Sequence, residues 1–172
     1  KLNDYQNLGN LDPKFFGGFL NSFSYRNFQF DIFLEFRKQM GVNYMQQVYS
    51  YLPGSQMNLP AVLLDRWQSP GDQATHQKYS TQYTDVYNAA SNFVRSDGAY
   101  SDASYIRFKT ISLSYNFHNE LLQRIKVKNL RIFCNAQNLF TITNYLGNDP
   151  ETQSIYAVPT LKTVVLGLQL NL

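Results

Sequence analysis

The sequence predicts an all-β fold of antiparallel strands of the kind that line a membrane β-barrel, and three observations carry that prediction. Five segments alternate apolar and polar residues over roughly 11 to 14 positions, against about 5 or 6 for an ordinary globular strand. The connections between them alternate between short and very long, as in barrels with tight turns on one side and long loops on the other. The polar sides of the strands carry Asn, Gln, Thr and Ser with few charges, rather than the Lys and Glu common on water-exposed sheets.

Composition agrees. The chain has 172 residues, 44% hydrophobic, and its hydrophobes are unusually aromatic, with 13 Tyr and 13 Phe. Charged residues reach only 16%, below the roughly 25% of typical soluble domains. No run of about 18 apolar residues occurs, which excludes a membrane-spanning helix but not a spanning strand, whose hydropathy trace is weak. The net charge of +3 is mild and unclustered, against a dedicated nucleic-acid surface. The single Cys134 has no partner for an intrachain disulfide and is expected to be an inert structural thiol. The chain opens on Lys1 with no initiator Met or signal peptide, and is expected to be a mature or partial chain.

The first strand is expected over 15–25, where Phe19, Phe23 and Tyr25 share a face with Asn21. A tight turn at Tyr25, Arg26 and Asn27 leads into a second strand over 27–39. There Phe28, Phe30, Ile32, Leu34 and Phe36 face one way, with Gln29, Asp31, Phe33, Glu35 and Arg37 opposite. From 40 to 103 the period-2 signal lapses, and a very long loop is expected. Such loops are usually functional. Within it "LPAVLLDRW" (59–67) reads as a short helix that tolerates Pro60 in its first turn.

A third strand is expected over 104–117, with Ile111, Leu113, Tyr115 and Phe117 opposite Thr110, Ser112, Ser114 and Asn116. Upstream the phase flips to Ile106 and Phe108 opposite Arg107 and Lys109, the mark of a bulge or of an exit from the buried zone. A fourth strand, 130–143, puts Leu130, Ile132, Cys134, Ala136, Phe140 and Ile142 on one face, with Asn138 as an exception. Arg131, Asn135, Gln137 and Thr141 oppose them, with Phe133 and Leu139 as apolar exceptions. The fifth, 161–172, alternates Val164, Leu166, Leu168, Leu170 and Leu172 with Thr163, Val165, Gly167, Gln169 and Asn171.

Lipid is the expected solvent for Phe28, Phe30, Ile32, Leu34, Leu113, Tyr115, Leu166, Leu168 and Leu170. A polar lumen is expected for Asp31, Glu35, Arg37, Arg131, Asn135 and Gln137, because an Arg facing lipid at the midplane would cost about 2 to 4 kcal/mol. With a periplasmic C-terminus, 40–103 and 144–160 become extracellular loops. Five strands cannot close a barrel, since the smallest have about eight, and open edges in lipid leave backbone groups unsatisfied. The chain is therefore expected to be part of a larger structure. The rival expectation is a soluble aromatic-rich β-domain that binds glycans.

The segments "LGNLDPKFFGGFLNSFSYRNFQFDIFLEF" (8–36), "LLDRWQSPGD" (63–72), "ASYIRFKTISLSYNF" (103–117), "LRIFCNAQNLFTITNYLGNDPE" (130–151) and "VVLGLQLNL" (164–172) together resemble the C-terminal end of SusC/RagA-like TonB-dependent outer-membrane transporters, a family typical of Bacteroidota. The resemblance covers nearly the whole chain. It implies the last five strands of a 22-stranded barrel, with the plug domain and the TonB-contacting region elsewhere. It further implies import of oligosaccharides or peptides across the outer membrane, with a SusD-like surface lipoprotein as lid and TonB supplying energy. Leu172 departs from the aromatic residue with which outer-membrane proteins commonly end.

No catalytic role is expected. A Ser, His and Asp set can be drawn around Ser69, Asp72 and His76, but loop composition makes such coincidences common, and His118 falls at a predicted turn. Asp102, Asp149 and Glu151 offer oxygen ligands of the type calcium uses, yet "GNDPE" (147–151) reads more simply as a turn. No metal or cofactor is expected. The loop aromatics Tyr44, Tyr49, Tyr51, Trp67, Tyr79, Tyr83 and Tyr87 are open to three readings: stacking on sugars or peptide side chains, contact with the SusD-like partner, or packing of the loop on itself.

Overall fold

The computed structural model describes residues 5–51, 54–117, 122 and 127–171. His118, Leu172 and much of the expected 118–129 turn lie outside the described residues. Two compact units are formed, one of Pro13–Gln39, Ser104–Asn144 and Val158–Leu172, the other of Lys1–Asp12, Met40–Ala103 and Tyr145–Ala157.

The first unit is an antiparallel sheet of long strands: β1 (Phe15–Tyr25), β2 (Phe28–Lys38), β5 (Tyr105–Asn116), β6 (Asn129–Gln137) and β8 (Thr163–Asn171), side by side in that order. A short strand, β7 (Thr141–Thr143), pairs with the start of β5. β1 and β2 form a hairpin closed by Arg26 and Asn27, with Arg26 at φ 52°.

The registers sort the side chains onto two faces, because directly opposed residues point the same way. Phe19 opposes Leu34, Phe23 opposes Phe30 and Tyr25 opposes Phe28. The row continues through Phe28 to Tyr115, Phe30 to Leu113 and Ile32 to Ile111. Leu113 then meets Cys134, and Cys134, Ile132 and Leu130 meet Leu166, Leu168 and Leu170. From Phe28 to Phe36 this face carries no Asp, Glu, Lys, Arg or His on any strand, and Asn21 is its one amide.

The phase flip in β5 is a bulge. Phe33 opposes Thr110 while the next residue, Leu34, opposes Phe108, so Lys109 is the extra residue. One inserted residue restores Ile106 and Phe108 to the apolar face and keeps Arg107 opposite Glu35.

The single strand expected over 130–143 is in fact two, β6 and β7. The break falls at Asn138, which has φ 52°, a conformation Asn tolerates better than most residues. Its backbone N–H donates to Lys109 O at the neighbouring bulge. Asn138 was the exception in the alternation because it is not in the ladder.

Phe33 and Phe133, two large apolar residues on the polar face, each lie over a glycine. A Cβ on Gly18 would come within 2.6 Å of the Phe33 ring, and one on Gly167 would collide with Phe133. Aromatic cover of a strand glycine offsets the lost side-chain packing there.

The second unit gives the long 40–103 connection internal structure. Between β3 (Met40–Val42) and β4 (Tyr100–Asp102), which pair antiparallel, lie helices α1 (Tyr44–Tyr49) and α2 (Asp85–Phe93) and a 3-10 turn at Ala61–Leu64. Pro60 is the N-cap of that turn, where "LPAVLLDRW" predicted a short helix. Met45, Val48, Tyr49, Leu63 and Ala90 form a core of its own, with Leu59, Tyr79 and Phe93 packed around it. Asn43 caps α1, its Oδ1 accepting from Met45 N at 3.0 Å and Gln46 N at 3.3 Å. Gln47 ties in the 145–157 segment, donating to Gln153 O and accepting from Ile155 N. No helix among the described residues is long and apolar enough to cross a membrane.

Candidate functional site

The polar face of the sheet is the first candidate surface. Asp31, Glu35, Arg37, Arg131, Asn135 and Gln137 all fall on it, brought into line by the same registers that build the apolar face. They are tied to their neighbours. Glu35 accepts from Lys109 Nζ at 2.9 Å and from Tyr105 Oη at 3.0 Å. Gln29 Nε2 donates to Asp31, Ser112 Oγ to Asn135 Oδ1 at 2.7 Å, and Arg131 Nη2 to Ser114 Oγ at 3.0 Å. Arg37 stands over the Phe16 ring at 5.9 Å.

Arg107, only 2% exposed, is the most buried charge of this face. Its Nε donates to Thr141 Oγ1 at 2.9 Å and its Nη1 to Thr160 Oγ1 at 3.0 Å, and its guanidinium sits 5.1 Å from the Tyr105 ring centroid. Tyr105, Arg107 and Lys109 join this face although they are absent from the residues expected to line a lumen. The signal was present in the Arg107 and Lys109 alternation, but the bulge broke the count.

The aromatic loop residues divide. Tyr49 is 7% exposed, packs on Phe93 at 4.7 Å and hydrogen-bonds His76 Nδ1 at 3.4 Å. Burial pushes its hydroxyl above the ordinary tyrosine range. Tyr79 donates to Leu63 O and lies under Arg66, whose guanidinium is 4.5 Å from the ring. These two hold the unit together. Trp67 is half-buried beneath Lys78. Tyr51 and Tyr83 are exposed and Tyr87 is half-buried, and a cleft of about 380 Å³ brings Tyr51 and Tyr87 together with Ser91 and Arg95.

The polar loop carboxylates hold turns. Asp72 Oδ2 accepts the backbone N–H groups of Gln68 and Ser69, while His76 is engaged by Tyr49, so Ser69, Asp72 and His76 form no relay. Asp65 accepts both the hydroxyl and the N–H of Thr75, and these bonds hold its carboxyl below the usual range. Asp149 Oδ1 accepts Glu151 N, an Asx turn. Among the described residues no three His, Cys, Asp or Glu side chains cluster as metal ligands would.

Comparison with known proteins follows this architecture. Over 149 residues the chain is 30% identical to TonB-dependent receptor P3 of Formosa agariphila, a match spanning 86% of this chain and 14% of that receptor. TonB-dependent receptor P39 of the same organism is 28% identical over 156 residues, spanning 87% of this chain and 14% of its own length. The chain thus spans about a seventh of the curated relatives it matches. No family model matches it. Among solved structures, a chain of the RagAB peptide importer in the closed-closed state superposes with a TM-score of 0.72 at 23% identity, covering 96% of this chain and 18% of that one. The open-open state gives 0.68 at 24%, covering 94% and 17%. Those relatives are receptors and importers by name, not enzymes. In sequence the chain is thus similar to a segment of TonB-dependent receptors, and it shares the fold of the matching segment of a RagAB peptide importer chain.

Proposed function

We propose that the chain forms part of the wall and of the extracellular loops of a 22-stranded outer-membrane barrel that imports oligosaccharides or peptides, energised through TonB and lidded by a SusD-like lipoprotein. The reading rests on the apolar face. Phe19, Phe23, Phe28, Leu113, Leu166 and Leu168 are each between 46% and 78% exposed, on a face without Asp, Glu, Lys, Arg or His between Phe28 and Phe36. In water so large an exposed apolar surface would be a liability. In lipid it is the required one.

Its height fits. Phe28 to Phe36 spans about 27 Å of strand at ~3.4 Å per residue, or about 20 Å once tilted by ~40°, near the ~25 Å apolar band of such barrels. Tyr25 and Tyr115, the tyrosines of this face, lie at the hairpin end, where amphipathic rings suit a headgroup boundary. Lumen contact for Asp31, Glu35, Arg37, Arg131, Asn135 and Gln137 follows from the opposite facing. The β1 and β8 edges would pair with other strands of the same barrel.

Two neighbouring substitutions in the full-length transporter test the facing. Leu168→Arg puts a charge in lipid at a cost of about 2–4 kcal/mol and is expected to abolish heat-modifiable barrel in the outer-membrane fraction. Gln169→Arg, facing the lumen, is expected to assemble. Equal tolerance of both sinks the proposal and favours the soluble glycan-binding alternative, which further requires a monodisperse protein without detergent.

A further inference from the structure

A cleft in the loop unit borders that unit's core, which supplies Tyr49 and Ala90 to its lining. It opens between the end of α1 and one flank of α2, where Tyr87, Ser91 and Val94 recur at helical spacing. Tyr49 forms its buried floor. Tyr51 and Tyr87 stand at its sides, and each is steadied by a second ring: Tyr156 lies edge-on to Tyr51 at 6.5 Å, and Tyr83 edge-on to Tyr87 at 4.7 Å. Both therefore offer prearranged faces, with little rotamer freedom left to lose on binding.

Arg95 follows the C-cap of α2 and is exposed. Among the described residues its guanidinium has no hydrogen-bond or ion-pair partner, in contrast to Arg107 and Arg131 of the sheet. A planar fork of donors beside two tyrosine faces fits a ligand that combines a stackable ring with a carboxylate. The cleft is walled mainly by the C-terminal ends of the two helices. It offers no free strand edge on which an extended peptide would be held through its main chain. Hydroxyls, aromatic faces and one guanidinium instead suit a sugar.

We propose that this cleft binds an acidic sugar unit, a carboxylate-bearing residue of an oligosaccharide, with Tyr51 and Tyr87 against the ring and Arg95 on the carboxylate. This names a substrate class for the import reading and rests on it.

Calorimetric titration of the purified full-length transporter tests it, with tetragalacturonate as probe and neutral xylotetraose and tetraglutamate as comparisons. Tetragalacturonate is expected to bind most tightly. Arg95→Gln, at an exposed position, is expected to weaken it by about tenfold or more while leaving xylotetraose unchanged. Tyr87→Ala is expected to weaken both sugars, with thermal unfolding of each variant checking the fold. The proposal is overturned if Arg95→Gln leaves tetragalacturonate binding intact. It is equally overturned if tetraglutamate binds as tightly with the same dependence on Arg95, since the site would then be a peptide site. Either result, alongside contrasting assembly of Leu168→Arg and Gln169→Arg, would remove the acidic sugar and leave the barrel in place.

Discussion

Tyr49 shows how burial separates side chains that share a type and a loop. As a loop tyrosine it belonged with the contact candidates; at 7% exposed, against Phe93 and His76, it is a core residue. Its raised pKa has a stability consequence. A group whose folded pKa lies above its unfolded value stabilises the fold below the unfolded value, about 10 for tyrosine, and loses that contribution as pH rises through the folded one. The loop unit is therefore expected to loosen above about pH 10, and Tyr49→Phe to blunt that alkaline change, read by amide exchange around α1. The contrast with Tyr51 and Tyr87 was not legible in the sequence. Nothing local distinguishes a tyrosine over a core from one beside a cleft.

At the scale of elements, the bulge at Lys109 is the device on which the sheet's two-sidedness depends. Deleting Lys109 would slip the start of β5 by one residue, sending Arg107 to the apolar face and Ile106 and Phe108 to the polar one. Failure of the deleted transporter to reach the outer membrane is expected, whereas Lys109→Gln, which keeps the residue count, should assemble. Normal assembly of the deletion would show that the register is set elsewhere. The flip was visible in the sequence because alternation on both sides of it is strong. The break at Asn138 was visible only as an exception, since a positive φ leaves no periodic trace.

The 40–103 segment raises the question at the scale of the molecule. Its helices are short and its polar residues act as ties: Asn43 at α1, Gln47 to the 145–157 segment, Asp65 to Thr75. Structure held by side-chain to backbone bonds between distant residues has no sequence period, which is why the segment read as a loop. Val42 and Tyr100 are paired across β3 and β4, so 43–99 can be replaced by an Asn-Gly turn. That excised transporter is expected to assemble as a barrel and to lose uptake of its nutrient. Loss of assembly instead would make the segment part of the folding unit of the wall.

The sequence by itself determined the sheet: which segments are strands, which side of each is apolar, and the family they match, because period-2 alternation is imposed by backbone geometry and is read residue by residue. Tertiary structure decided the rest. It divided the aromatics between core and cleft, turned a loop into a unit with its own core, and grouped Tyr105, Arg107 and Lys109 with Glu35. Those outcomes depend on contacts between residues far apart in the chain, and no local pattern encodes them.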